Sequence, residues 1–214
     1  AFMYFQQIAD QQADISPRSP IAKYAAEAFV ALGQYYLDGI PEIKLASKPT
    51  YAGQLFRHAA SYFGNAEAQY RLARLYMNGA GVEKNVGLAI NWLATAAKKQ
   101  HAASQATLGE ILWRISSPVM ALLVALLAIP LSYTNPRVGR STNLIIAVLA
   151  FAVYINVLNT VQAYVQQERL SFGVGVWVLH AIVLAIIVLL FARRLFVHGW
   201  PLPRLRAGRR EAAP

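Results

Sequence analysis

The residues that most restrict how this chain can fold are ILWRISSPVMALLVALLAIPLSYTNPRVGR, positions 111–140. No charged side chain falls between Pro118 and Leu131. At ~1.5 Å per helical residue, Ile111 to Tyr133 is long enough to cross the ~30 Å hydrocarbon core of a bilayer. Arg114 lies at one end of this run, and Arg137 and Arg140 follow the other. Two further runs behave alike: LIIAVLAFAVYINVLNTVQAYV (144–165) is uncharged, and VGVWVLHAIVLAIIVLLFA (174–192) contains only His180. A water-soluble helix of such length would carry a polar face. Three membrane spans follow, with 111–140 the joint between two unlike halves.

Charge gives the orientation. Residues 1–115 hold 11 Lys/Arg against 8 Asp/Glu, a net of +3, and residues 116–214 hold 9 against 2, a net of +7. The second excess sits between and beyond the apolar runs: Arg137 and Arg140 in the first loop, and Arg193, Arg194, Arg204, Arg206, Arg209 and Arg210 at the end. Glu168 and Arg169 cancel in the second loop. The positive-inside rule puts loop 132–143 and the basic tail, 198–214, in the cytoplasm. Everything before the first span then faces outward, which in a bacterial inner membrane is the periplasm. Trp113, Tyr133, Tyr164, Trp177 and Trp200 stand near span ends, where interfacial aromatics belong. This pattern is a membrane flank and argues against a nucleic-acid groove. The absence of cysteine excludes thiol catalysis, thiolate metal sites and disulfides. The opening AFMYFQQ has neither an initiating Met nor a basic-then-apolar leader, so a removed signal peptide or preceding sequence is expected.

The first half repeats. NAEAQYRLARLY (65–76) overlays HAASQATLGEIL (101–112) at an offset of 36, and Ala26, Ala28, Leu32 and Tyr36 fall 40 before Ala66, Ala68, Leu72 and Tyr76. AGQLFRHAASYFGNA (52–66) overlays AINWLATAAKKQHAA (89–103) at an offset of 37. Lys48 or Thr50, with Pro49, marks a helix start. The opening segment reads as the second helix of an earlier repeat, with Phe5 and Ala9 in the places of Phe56 and Ala60. Alanines allow close helix approach, while Leu32, Tyr36, Phe56, Leu72, Tyr76 and Trp92 fill the space between. Each helix pair leaves a face that only the next covers, so the module stacks as an α-solenoid.

These residues resemble the Sel1-like repeat family through Leu72, Tyr76, Gly79, Gly81, Val82, Ala89, Trp92, Ala96 and Ala97. The long variant IPEIKLASKPT after Gly39 is similar to the periplasmic ExoR type, regulators of exopolysaccharide synthesis. The Gly-x-Gly at Gly79–Gly81 follows no strand and reads as a turn. His58 and His101 have no second ligand at metal spacing and read as helix-surface or interhelix contacts. Trp92 and the tyrosines read as packing, and Lys98 and Lys99 as a cationic last turn.

The second half resembles the C-terminal three helices of the LptF/LptG permease family. The resemblance rests on the cytoplasmic loop motif Asn135, Pro136, Arg137, Gly139 and Arg140 after Leu131-Ser132, on Tyr154 and Asn156, and on Gly175, Trp177 and His180. It starts at Trp113 and implies partnership with a second permease subunit and an ATPase in lipopolysaccharide extraction. The family's six spans, coupling helix and jellyroll are matched only in the last three spans, implying a partial subunit. Asn156, Asn159 and Thr160 share a helix face, as a lipid-cavity wall or an interhelical hydrogen-bonding strip. His180 titrates, contacts a headgroup or hydrogen-bonds another helix, and Pro130 kinks or ends the first span.

The expected architecture is all-α: a short Sel1/TPR-like solenoid (1–112), a three-helix transmembrane bundle (113–197) and the tail. The expected role is non-catalytic, without cofactor or metal. A periplasmic protein-interaction module is joined to permease-type helices, with membrane lipid, lipopolysaccharide included, and protein partners but no nucleic acid. The competing expectation is a membrane-tethered regulator whose repeats bind a sensor domain and whose spans are only an anchor.

Overall fold

The computed structural model describes residues 1–132, 140–167 and 169–197. Its elements are helical: α1 (Phe2–Gln12), α2 (Ala22–Asp38), a 3-10 turn (Pro41–Ile43), α3 (Pro49–Ser61), α4 (Ala66–Asn78), α5 (Val86–Ala97), α6 (Ala102–Ser132), α7 (Arg140–Gln166) and α8 (Phe172–Val197). An isolated antiparallel bridge joins Ile40 to Leu45. No strand is formed among the described residues. Asn135, Pro136, Arg137 and Gly139 of the loop motif, and the tail 198–214, lie outside them; Arg140 opens α7.

The repeats fold from local signals. Asn65 caps α4 by accepting from the Ala68 N–H, and Asn85 caps α5 by accepting from the Leu88 N–H, each at 2.9 Å. Lys48 holds the N-cap position of α3 without a side-chain cap, and Pro49 occupies the first turn, where a missing N–H costs nothing. The α4 helix ends on Gly79 at φ 74°, and Gly81 at φ 70° packs so closely on the Pro49–Thr50 backbone that a side chain has no room. In the long loop after Gly39, the Ile40–Leu45 bridge and Lys44 at φ 55° make a tight reversal. Ser47 Oγ then donates to the Leu37 carbonyl at 2.6 Å and pins the loop to the end of α2.

Leu32, Phe56 and Leu72 are buried in one apolar cluster with Ala9, Phe29 and Ala60. Tyr36 is half-buried against it. Burial first, then Tyr51 and Asp10, holds its phenol above the ordinary range. A second cluster gathers Ala73, Ala89, Leu93, Ala97 and Leu108. Tyr76 and Trp92 are half-buried against both clusters and so join one repeat to the next. His58 Nε2 meets the Ala13 carbonyl at 3.1 Å and its ring stacks on Tyr62. Lys98 and Lys99 fall just past the end of α5 rather than in its last turn, and Lys99 Nζ donates to the Gly64 carbonyl.

The chain packs as two compact units that do not follow sequence order alone. The first takes residues 1–116 together with 157–176; the second takes 117–156 and 177–214. The third repeat therefore obtains its partner surface from the end of α7 and the start of α8, not from a second repeat helix. Phe172 packs on the Leu108 cluster. Gly109 abuts the Gln162 and Gln166 side chains, and Gly175 abuts Val165, Val161 and Leu112. The α6 helix is thus the first helix of the third repeat and, without interruption, the first apolar span. It does not end at Pro130, running on to Ser132. Among the described residues, three helical stretches are long and apolar enough to cross a membrane: Ala102–Ile129, Ile145–Gln166 and Phe172–Arg193, with mean hydropathies of 2.0, 1.9 and 2.9.

Candidate functional sites

In the first unit, a polar ladder crosses the first helices of successive repeats. Gln34 on α2 is hydrogen-bonded to both Asp38 and Arg71. Arg71 on α4 pairs with Glu67 at 2.5 Å. Glu67 in turn meets His101 Nε2 at 2.9 Å. His101 Nδ1 lies 3.3 Å from the Ser104 backbone N–H and 3.0 Å from its hydroxyl. A backbone N–H only donates, so Nδ1 accepts and Nε2 carries the proton directed at Glu67. His101 therefore makes the interhelix contact read from its sequence. Between α2 and α4 the same face forms a groove of about 440 Å³, lined by Glu27, Val30, Gln34, Tyr35, Glu67 and Arg71 among others. Its lining mixes apolar, amide and charged side chains.

In the second unit, the Tyr154 hydroxyl is hydrogen-bonded to His180 Nδ1, and both side chains are buried. His180 is 4% exposed, and its Nε2 has no hydrogen-bond partner among the described residues. In a lipid-facing bundle such a pair fixes two helices in register, because neither group has water to return to. Asn156 is exposed and donates through Nδ2 to the Ala152 carbonyl of its own helix at 2.7 Å. Asn159 and Thr160 are exposed as well, and belong to the part of α7 counted with the first unit. Of the four polar residues read from the spans, only His180 is buried. Its partner Tyr154 is one of the residues that carry the family resemblance, although no interaction between them was legible from spacing. No cluster of three metal-ligating side chains occurs among the described residues.

A third feature has no counterpart in the sequence reading. A groove of about 550 Å³ runs between α5 and the α7–α8 corner, inside the first unit, lined by Ile90, Ala94, Lys98, Leu108, Val165, Leu170 and Phe172 among others. Its walls are mainly apolar.

Comparison with known proteins bears out both resemblances. Two curated relatives are each described as an exopolysaccharide production negative regulator. The one from Rhizobium meliloti (strain 1021) is 38% identical over 114 residues, covering 53% of this chain and 42% of that protein. The one from Rhizobium leguminosarum bv. viciae is 33% identical over 113 residues, with the same coverage. The chain thus spans about two-fifths of the length of these relatives. A Sel1 repeat protein from Oxalobacter formigenes, known from its crystal structure, is 24% identical over 53% of this chain and 45% of its own, with a TM-score of 0.40. Residues 58–193 match the family described as lipopolysaccharide export system permease LptF/LptG, beginning within α3 and well before Trp113, and covering more than half of the sequence. The chain belongs to the LptF/LptG family of lipopolysaccharide export system permeases.

Proposed function

We propose that the protein is a non-catalytic inner-membrane subunit of permease type, whose repeats form an envelope-side docking module. The observation that carries this reading is that one helix, α6, serves both halves, and that 157–176 pack into the unit containing the repeats. A partner held on the repeats is thereby coupled to α7 and α8 through packed side chains rather than a loose linker. The groove between α2 and α4 supplies the docking surface, with Arg71 and Glu67 at its polar edge. The positive-inside rule supports a periplasmic repeat domain and a cytoplasmic tail. The membrane half then associates with a second permease subunit and an ATPase and contacts lipopolysaccharide.

A second reading is favoured by the regulators of which 38% and 33% of aligned residues recur here. In it the repeats bind a sensor's outer domain and the spans are only an anchor. Purification of the intact protein from crosslinked membranes separates the two. Recovery of an ABC-type ATPase with lipopolysaccharide supports the permease reading. Recovery of a sensor kinase without the ATPase supports the regulator and ends the permease reading. In either case Arg71→Glu reduces capture of the envelope partner if the α2–α4 groove is where it docks.

A further inference from the structure

The groove between α5 and the α7–α8 corner lies where two apolar runs end. Counting ~20 residues of hydrocarbon-crossing helix back from Arg193 along α8 reaches Val174. On α6 the exposed ion pair of Glu110 with Arg114 belongs outside the hydrocarbon, which places the first span after Arg114. Leu108, Leu170 and Phe172 therefore stand at the level where acyl chains give way to headgroups. The opposite wall is unusual for a repeat helix. From Val86 to Ala97, α5 carries no charge, is apolar but for Asn91 and Thr95, and exposes Val86 and Leu88. Lys98, immediately after its end, is the cation of the groove. An apolar trough at the depth of the glycerol backbone, closed by an ammonium group, matches a phospholipid: acyl chain along Ile90, Ala94 and Phe172, phosphate against Lys98.

We infer that this groove binds an anionic phospholipid of the surrounding leaflet, seating α5 on the membrane. The site is distinct from the polar strip on α7 and from the α2–α4 groove. It rests on the membrane placement of the three spans and not on lipopolysaccharide export.

The test reconstitutes the full chain in vesicles of phosphatidylcholine and phosphatidylglycerol. One set contains phosphatidylglycerol bearing a diazirine on its acyl chain, and the other contains the matching phosphatidylcholine. After irradiation, adducts are mapped by peptide mass spectrometry. The inference expects adducts on α5 between Ile90 and Lys98, outside every candidate span, and stronger labelling by the anionic probe. Lys98→Gln lowers anionic labelling of α5 about fivefold, the ratio corresponding to one cation near an anionic surface. It leaves labelling by phosphatidylcholine nearly unchanged. Ala94→Trp fills the groove and removes both, with far-UV circular dichroism to verify the fold. Adducts confined to the spans overturn the inference while leaving the membrane placement intact. Loss of α5 labelling on adding inorganic phosphate makes it a free-anion site and overturns the inference too. Labelling nowhere rejects the groove and the membrane placement together.

Discussion

Two glycines in helices respond oppositely to the same change because their neighbours differ. An ideal β-carbon at Gly33 would lie 2.5 Å from a ring carbon of Phe56, whose side chain is fully buried and has nowhere to go. Gly33→Ala is expected to destabilise the fold by about 1–3 kcal/mol, the cost of overpacking a filled core. At Gly87 in α5 the nearest atom is the Asn85 side-chain oxygen at 3.4 Å, an ordinary contact. Gly87→Ala is therefore expected to stabilise by roughly 0.4–1 kcal/mol through loss of unfolded-state freedom. Thermal unfolding of the two variants in one detergent gives the signs directly. Capping is equally local: Asn65→Ala removes the acceptor for the Ala68 N–H, at a cost of about 1 kcal/mol. Glu67→Gln is a milder change, because both partners of the Glu67–Arg71 pair are more than a third exposed or nearly so. Its effect should stay within about 1 kcal/mol and shrink in salt.

At the scale of elements, the sequence is legible wherever one segment decides its own conformation. The offsets of 36, 37 and 40 locate the repeat helices, and uncharged length locates the spans. What spacing does not contain is the partner of the third repeat. Its first helix, 101–112, matches the repeat pattern, but no second repeat helix follows. The surface that covers Leu108 comes from Phe172, more than sixty positions later. Periodicity cannot announce a contact between segments with different periods. The Tyr154–His180 pair escapes for the same reason: each residue is visible alone, and only helix register makes them a pair. The continuity of α6 is a related lesson. Pro118 lies within it, so the Arg114 carbonyl has no helical N–H to receive. Restoring that donor with Pro118→Ala should strengthen the helix by up to about 3 kcal/mol. The expected reading is slower amide exchange around residues 115–122, with activity measured on the same sample showing whether the weak point is used.

At the scale of the whole molecule, a solenoid that borrows its last surface from a membrane hairpin is not an independent module. A fragment ending at Leu112 uncovers Leu108, which is 1% exposed in the full chain, at a cost of about 1.5–3 kcal/mol for that side chain alone. The fragment should unfold at a lower temperature than the repeats do in the full chain. The direction in which the hairpin crosses the membrane decides what the repeats can meet. Arginines dominate loop 132–143 and the tail, while the 168–169 loop is neutral overall, and each translocated arginine opposes the outward route. The absence of cysteine makes the chain a clean background for testing this. Lys84→Cys, exposed in the turn before α5, should react with a membrane-impermeant maleimide in intact spheroplasts. Arg206→Cys should react only after the membrane is opened. Reversed labelling would place the repeats in the cytoplasm. It would leave the fold untouched, but remove every envelope partner from reach of the α2–α4 groove.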